Sequence, residues 1–136
     1  MRLRSRQHLR RQADFAAVRN EGRRQHGAAF IFSFRRRPAD PRFDLPRFAV
    51  VASRRVGNAV VRNRLKRRMR EVFRENQGLF PRDVDIIVTL QSRAVEATFA
   101  DLERYFRAAA HRAGFSARSS DVAAVEVSPP APPPSS

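Results

Sequence analysis

Apolar residues between positions 61 and 73 recur every three or four residues, the spacing that places side chains on one face of an α-helix. The residues of that face are Val61, Leu65, Met69, Val72 and Phe73. Just before them, Gly57 permits a tight turn and Asn58 is a favoured N-cap residue. The pattern predicts a central helix that begins at Ala59 and runs for about 18 residues, roughly 27 Å.

Alternating side chains predict a β-strand over residues 28–36. The residues of one face are Phe30, Phe32 and Phe34, and those of the other are Ile31, Ser33 and Arg35. Three phenylalanines on one face indicate the side that packs into the core. Residues 23–26 are predicted to add a short strand before it.

Residues 47–53 predict another strand, which leads directly into the central helix. Three prolines fall between residues 38 and 46, and they predict a hairpin loop between the two strands. Residues 83–90 form an apolar run of strand length, which is typical of a strand buried on both faces.

Helical patterns also appear near both ends of the chain, over residues 9–20 and 95–113. The first is predicted to end near Gly22 and the second at Gly114, because glycine commonly follows the last turn of a helix. Helices and strands in this mixture predict an α+β protein.

The two ends of the chain differ from the middle in composition. Residues 1–8 alternate basic and neutral side chains and predict a flexible basic arm. Residues 117–136 are rich in proline and serine and predict a disordered tail. A single α+β domain is therefore expected over residues 9–116.

Charge narrows the class of partner. The 136 residues include 28 Lys and Arg against 13 Asp and Glu, a net charge of +15. A domain this basic most often binds nucleic acid, with an anionic membrane surface as the second class. The membrane is disfavoured because there is no long apolar run and no helix with a basic face opposite a broad aromatic one.

Cysteine content and the N-terminus limit the remaining possibilities. The sequence has no cysteine, which excludes disulfides and thiolate metal sites. The first residues lack the apolar segment of a secretory signal, so we expect a cytoplasmic protein.

The predicted central helix concentrates the positive charge. Between Ser53 and Arg70 there are eight basic residues and no acidic residue. An ordinary solvated helix face mixes both signs in i,i+4 pairs, whereas unmixed basic side chains repel one another unless a polyanion neutralises them. A nucleic-acid-binding surface is therefore favoured over a merely solvated face.

The segment from Gly57 to Glu71, GNAVVRNRLKRRMRE, resembles the signature of the protein subunit of bacterial ribonuclease P. That signature is Gly-x-Ala-Val-x-Arg-Asn-x-x-Lys-Arg-x-x-Arg-Glu, and the chain meets every fixed position. Asp14 and Phe15, followed by Val18 and Gly22, resemble the first helix and turn of the family, and residues 85–88 resemble its late strand. The resemblance spans residues 8–113.

The resemblance implies a two-layer sandwich of αβββαβα order. The central helix would make a left-handed βαβ crossover between parallel strands, against the general right-handed rule.

It also implies a protein cofactor of a ribozyme. The catalytic RNA would use Mg²⁺, bound mainly by the RNA and the substrate, to remove the 5′ leader of precursor tRNA. The protein would be an enzyme subunit without catalytic or metal-binding residues of its own. It would bind the RNA one to one, and a dimer of the holoenzyme is compatible with the family.

Two sets of site residues follow from the resemblance. Those expected to contact the catalytic RNA are Arg54, Arg55, Arg62, Asn63, Arg64, Lys66, Arg67, Arg68 and Arg70. Those expected to line a cleft for the leader are Phe15, Arg19, Ile31, Ser33, Arg35 and Arg93. Periodicity alone makes Phe15 a core residue, whereas the resemblance makes it a surface for single-stranded RNA. Relatives often carry a second aromatic at the position of Arg19 and one near Ser33.

The sequence gives little support for a metal site or a catalytic triad in the protein itself. Asp83 and Asp85 would share one side of a strand and in principle suit Mg²⁺. We expect instead that Asp83 lies in a loop and that Asp85 pairs with Arg82, since two-metal nucleases need more convergent carboxylates. The histidines lack a Ser, Asp or Cys at the spacing of a triad and are predicted to be surface residues: His8, His26 and His111.

The main alternative is a structural ribosomal or nucleoid protein, which would have the same size, charge and lack of cysteine. A self-sufficient nuclease is a more distant alternative, because the acidic residues are scattered. The length and specificity of the motif favour the ribonuclease P subunit over both.

Overall fold

The computed structural model describes residues 12–38 and 45–115. Their order is α1 (Gln12–Glu21), β1 (Arg23–His26), β2 (Phe30–Arg36), β3 (Arg47–Val51), α2 (Ala59–Asn76), β4 (Val84–Leu90) and α3 (Phe99–Arg112). Short 3-10 turns, Gln77–Leu79 and Ser92–Glu96, flank β4. This confirms the predicted α+β fold and its αβββαβα order. The predicted arm and tail lie outside the described residues.

The central helix α2 has the predicted bounds. The Asn58 side chain accepts a hydrogen bond from the Val61 amide at 3.0 Å, which caps the first turn. A side chain at Gly57 would place its Cβ 2.9 Å from Val61 Cγ1, so this turn requires glycine. The apolar face of the helix is fully buried through Leu65, Met69, Val72 and Phe73.

The sheet has the strand order β1-β2-β4-β3, with β4 buried on both faces. β2 pairs antiparallel with β1 and with β4, and β3 pairs parallel with β4. The predicted hairpin between β2 and β3 is therefore wrong. Because β4 is apolar on both faces, it occupies the interior of the sheet and separates β2 from β3. The parallel β3-α2-β4 unit is present, and its left-handed crossover stays a prediction from the resemblance.

The main core lies between one face of the sheet and the helices α2 and α3. Phe30 and Phe32 are fully buried there, as predicted, while Phe34 is half-buried. Phe48 from β3 stacks on Phe73 from α2 with ring centroids 4.6 Å apart. This packing holds α2 against the sheet and turns its basic side outward.

Helix α3 begins at Phe99, four residues later than predicted. Thr98 and Asp101 form a capping box, in which the Asp101 amide donates to Thr98 Oγ1 at 3.0 Å. Val95 belongs to the preceding 3-10 turn instead.

Candidate nucleic-acid interface

The basic surface of α2 and its preceding turn faces solvent. The exposed members of the predicted RNA-binding set are Arg54, Arg55, Asn63, Arg64, Arg67 and Arg70. Within the described part of the chain, none of the nine predicted residues forms a salt bridge with a carboxylate. Among the described residues, the eight cations of this set therefore have no carboxylate counter-ion.

Three members of the set are half-buried, and two of them hold neighbouring backbone. Arg62 Nε donates to the Gly57 carbonyl at 3.1 Å, which ties the turn to the first turn of α2. Arg68 Nη1 donates to the Ala97 carbonyl at 3.3 Å, near the start of α3. Lys66 is the third half-buried member. Arg64 and Arg67 are thus the clearer candidates for phosphate contacts.

The other face of the sheet carries α1, which crosses the strands and is held at both ends by ion pairs. Asp14 lies 3.4 Å from Arg47 of β3, and Glu21 accepts a hydrogen bond from Arg35 of β2 at 2.9 Å. Between them, Val18 packs on Ile87 of β4. The helix therefore runs from β3 toward β1 over one end of the sheet.

A groove remains beside α1, over the other end of the sheet. Strand pairing aligns four residues across it, which form the groove floor: His26, Ile31, Thr89 and Val51. Phe15 and Arg19, one helical turn apart, lie on the side of α1 away from Asp14 and Glu21. Phe15 is half-buried against the small apolar cluster that includes Val51.

The groove leads toward α2 at the β3 edge of the sheet. Since β3 and β4 are parallel, their carboxyl ends lie at the same end of the sheet, beside the groove floor. The chain continues from Val51 to Arg54 and Arg55, and from Leu90 to Arg93, all three of which are exposed. The structure therefore places these cations at the same end of the sheet as the floor.

The predicted cleft residues fall into two groups. Phe15, Arg19, Ile31 and Arg93 lie in or near the groove. Ser33, only 8% exposed, lies in the row with Ile87 that α1 covers. The Arg35 side chain is 16% exposed and paired with Glu21, so the structure places it at the opposite side of α1. Neither Ser33 nor Arg35 is brought together with the others.

Sequence reasoning did not identify His26, Val51 and Thr89 as residues of this surface. His26 comes from a short strand whose pairing register local patterns do not give, and the other two follow only from the order of strands. Alternation along β2 was the available signal, because it had already placed Ile31 on the face opposite the phenylalanines.

A buried ionic cluster joins α1 to the sheet. Asp85 is fully buried and accepts hydrogen bonds from Arg47 at 2.8 Å and from Arg37 at 2.7 Å. Burial lowers the pKa of Arg47, but hydrogen bonds and charge from Asp85 and Asp14 outweigh it, so the pKa lies above its usual value. The predicted pairing of Asp85 with Arg82 is wrong, because Arg82 contributes only its backbone carbonyl, to Arg37.

Asp83 and Asp85 do not form a metal site. Asp83 pairs with the exposed Arg36 at 2.9 Å, whereas the oxygens of Asp85 are taken up by two guanidinium groups. In residues 12–38 and 45–115, no three His, Cys, Asp or Glu lie close enough to hold a metal ion. In the same ranges, no helix is long and apolar enough to cross a membrane.

Comparison with known proteins agrees with this architecture. The ribonuclease P family model matches residues 3–114. The ribonuclease P protein component of Thermotoga maritima is 35% identical over 91 residues, covering 67% of this chain and 74% of that protein. That of Acidothermus cellulolyticus is 36% identical over 104 residues, covering 76% and 85%.

Solved structures show the same fold. The ribonuclease P protein of Thermotoga maritima superposes with a TM-score of 0.64 at 30% identity, covering 73% of this chain and 90% of that one. The Staphylococcus aureus protein has a TM-score of 0.69 at 24% identity, covering 79% and 95%. The chain therefore belongs to the family of bacterial ribonuclease P protein components.

Proposed function

We propose that this protein binds the catalytic RNA of ribonuclease P through α2 and guides the 5′ leader of precursor tRNA through the groove beside α1. Membership of the family implies a role in tRNA 5′ processing together with an RNA subunit. The assignment of α2 to the catalytic RNA and of the groove to the leader goes beyond what family membership implies.

The observation that carries the proposal is the cationic surface of α2, whose preceding turn, with Arg54 and Arg55, leaves β3 at the end of the sheet where the groove floor lies. Its exposed arginines have no carboxylate partner in the described residues, so bound phosphates would relieve their mutual repulsion. An RNA held there lies next to the carboxyl ends of β3 and β4. A single strand that leaves the site of cleavage can then enter the groove directly.

The groove has the chemistry of a single-strand site. Phe15, Ile31 and Val51 offer apolar surface to unstacked bases, and Arg19 and Arg93 offer cations to the backbone. Hydrolysis is assigned to the RNA subunit, with Mg²⁺ bound mainly by RNA and substrate. One protein per RNA, the compatible holoenzyme dimer and a cytoplasmic location remain predictions from the sequence.

The salt dependence of binding to the catalytic RNA tests the assignment of α2. The variant R64Q/R67Q removes two exposed cations from α2, and R104Q/R107Q removes two exposed arginines from α3. Loss of two phosphate contacts should lower the slope of log affinity against log salt by about 1.4 to 1.8.

The α3 variant R104Q/R107Q should retain the slope of the unaltered protein. It loses the same net charge as R64Q/R67Q, but it loses no phosphate contact. Equal slopes for the two variants would mean that Arg64 and Arg67 do not contact the RNA, and that binding depends only on the net charge of the protein.

A further inference from the structure

The floor of the groove continues to the outer edge of the sheet at β1. In the antiparallel pairing of β1 with β2, His26 lies opposite Ile31 and Arg24 lies opposite Ser33. Directly opposed residues project from the same face of a sheet, so both side chains lie on the α1 side. Both are exposed, unlike the half-buried Ile31, Thr89 and Val51.

This edge is positively charged. Arg19 and Arg24 form no salt bridge within the described residues, and the carboxylate of Glu21 at the end of α1 is engaged by Arg35. The edge therefore offers guanidinium groups that are free to bind phosphate.

The backbone of β1 is fixed, and the His26 ring is left accessible. Arg112 Nη2 donates to the His26 carbonyl at 2.8 Å, which ties the end of the strand to α3. The imidazole projects on the other side, at the outer end of the apolar floor. Histidine is one of the side chains on which unstacked bases stack.

The order of strands gives the groove a direction. β3 lies at the α2 end and β1 at the opposite edge, three interstrand spacings away, or about 14 Å. A single strand that enters beside α2 meets Phe15 and Val51 first, then Arg19, and reaches Arg24 and His26 last.

We propose that Arg24 and His26 form a distal subsite for the leader. Arg24 binds a backbone phosphate and His26 stacks on a base, in nucleotides farther from the cleavage site than those beside Phe15. This inference rests on the proposed function of the groove. It adds that Arg24 and His26 increase the affinity only for a leader long enough to reach β1.

The test compares holoenzymes on precursor tRNAs whose leaders have about 4 or about 12 nucleotides, lengths that bracket common single-strand sites. The variants are Arg24→Gln and His26→Ala, and Arg107→Gln on the exposed side of α3 is the charge-matched control. All three residues are exposed, so equal melting temperatures are expected and are checked first.

With the long leader, Arg24→Gln should weaken binding about twofold to fivefold, as expected for one exposed charge contact. It should also lower the salt slope by about 0.7. His26→Ala should weaken binding about fivefold or more, as expected for one lost stack. With the short-leader substrate, Arg24→Gln and His26→Ala should bind as tightly as the unaltered protein. Arg107→Gln should not change the binding of either substrate.

Equal effects on both leaders, or none beyond that of Arg107→Gln, would overturn the distal subsite. Phe15→Ala separates this outcome from failure of the groove itself. If Phe15→Ala weakens leader binding while the β1 variants do not, only the distal subsite is wrong. If no variant affects leader binding, the groove is not the leader site and both proposals fail.

Discussion

At the scale of single residues, Phe15 serves both the core and the groove. Its ring packs on the cluster of Val18 and Ile87 below α1, yet it is only half-buried and borders the groove floor. Core packing and RNA contact, which periodicity and resemblance favoured separately, are thus compatible for one side chain. The structure shows the packing of the ring on this cluster, and stacking on RNA stays a prediction.

Phe15→Ala should weaken binding of precursor tRNA by about 1 to 3 kcal/mol, the contribution of one stacked base. Binding of mature tRNA and of the catalytic RNA should not change, since the proposal assigns the groove to the leader alone. Phe99→Ala is the control, because Phe99, the first residue of α3, is also half-buried but packs against the main core. Equal losses for precursor and mature tRNA would leave Phe15 a core residue only.

Asp85 is the residue whose role the sequence least revealed. Its carboxylate is shared by Arg37, which follows β2, and Arg47 of β3, so three segments meet at one buried charge. Sequence proximity suggested Arg82, but Arg37 and Arg47 lie 48 and 38 positions away in the chain. Pairings at such separations depend on strand order, which local patterns do not contain.

Asp85→Asn should destabilise the fold by about 3 to 5 kcal/mol, because it leaves two buried guanidinium groups without their shared counter-charge. Asp83→Asn is the matched control, since Asp83 pairs with an exposed arginine and should contribute less than about 1 kcal/mol. Denaturant unfolding measures both. Similar losses for the two variants would mean that the buried pair contributes no more than the surface pair.

At the scale of elements, local signals determined how well each helix was predicted. α2 was predicted with its observed start because Gly57, Asn58 and the apolar spacing agree. α3 begins four residues later than the apolar spacing predicts, because the capping box of Thr98 and Asp101 fixes its first turn. β4 was predicted well because burial on both faces leaves a continuous apolar run.

The capping box of α3 makes a prediction about pH. The Thr98 amide donates to Asp101, which lowers the pKa of that carboxyl below its usual value. A carboxylate with a lowered folded pKa stabilises the fold above the unfolded pKa, near 3.9, and loses this contribution as pH falls through the folded pKa. The stabilisation is therefore complete at neutral pH and absent in strong acid.

The contribution of the Asp101 carboxylate can be tested by measuring the melting temperatures of the unaltered protein and of Asp101→Asn from pH 7 to pH 2. The difference between them should be constant above about pH 4 and disappear at lower pH. Thr98→Ala, which also removes the N-cap, should cost about 1 kcal/mol at neutral pH. A difference that persists unchanged in strong acid would show that the charge of Asp101 does not stabilise the helix.

At the scale of the molecule, the fold separates two surfaces, and the turn before α2 joins them at the carboxyl end of β3. α2 packs on one face and exposes its arginines, while α1 crosses the other face and leaves a groove beside it. The class of fold and the basic helix followed from the sequence. The resemblance supplied a cleft that includes Phe15 and Ile31, but not the rest of its floor, because Ile31, Thr89 and Val51 become neighbours only once β4 lies between β2 and β3.

The central claim is that this protein acts with a catalytic RNA, and leader cleavage at low Mg²⁺ tests it most directly. The rate of leader removal from precursor tRNA is compared for the protein, the cognate catalytic RNA and the two together. The mixture should cleave efficiently where the RNA alone is slow and the protein alone is inactive. A mixture no faster than the RNA alone, or cleavage by the protein without RNA, would contradict the account.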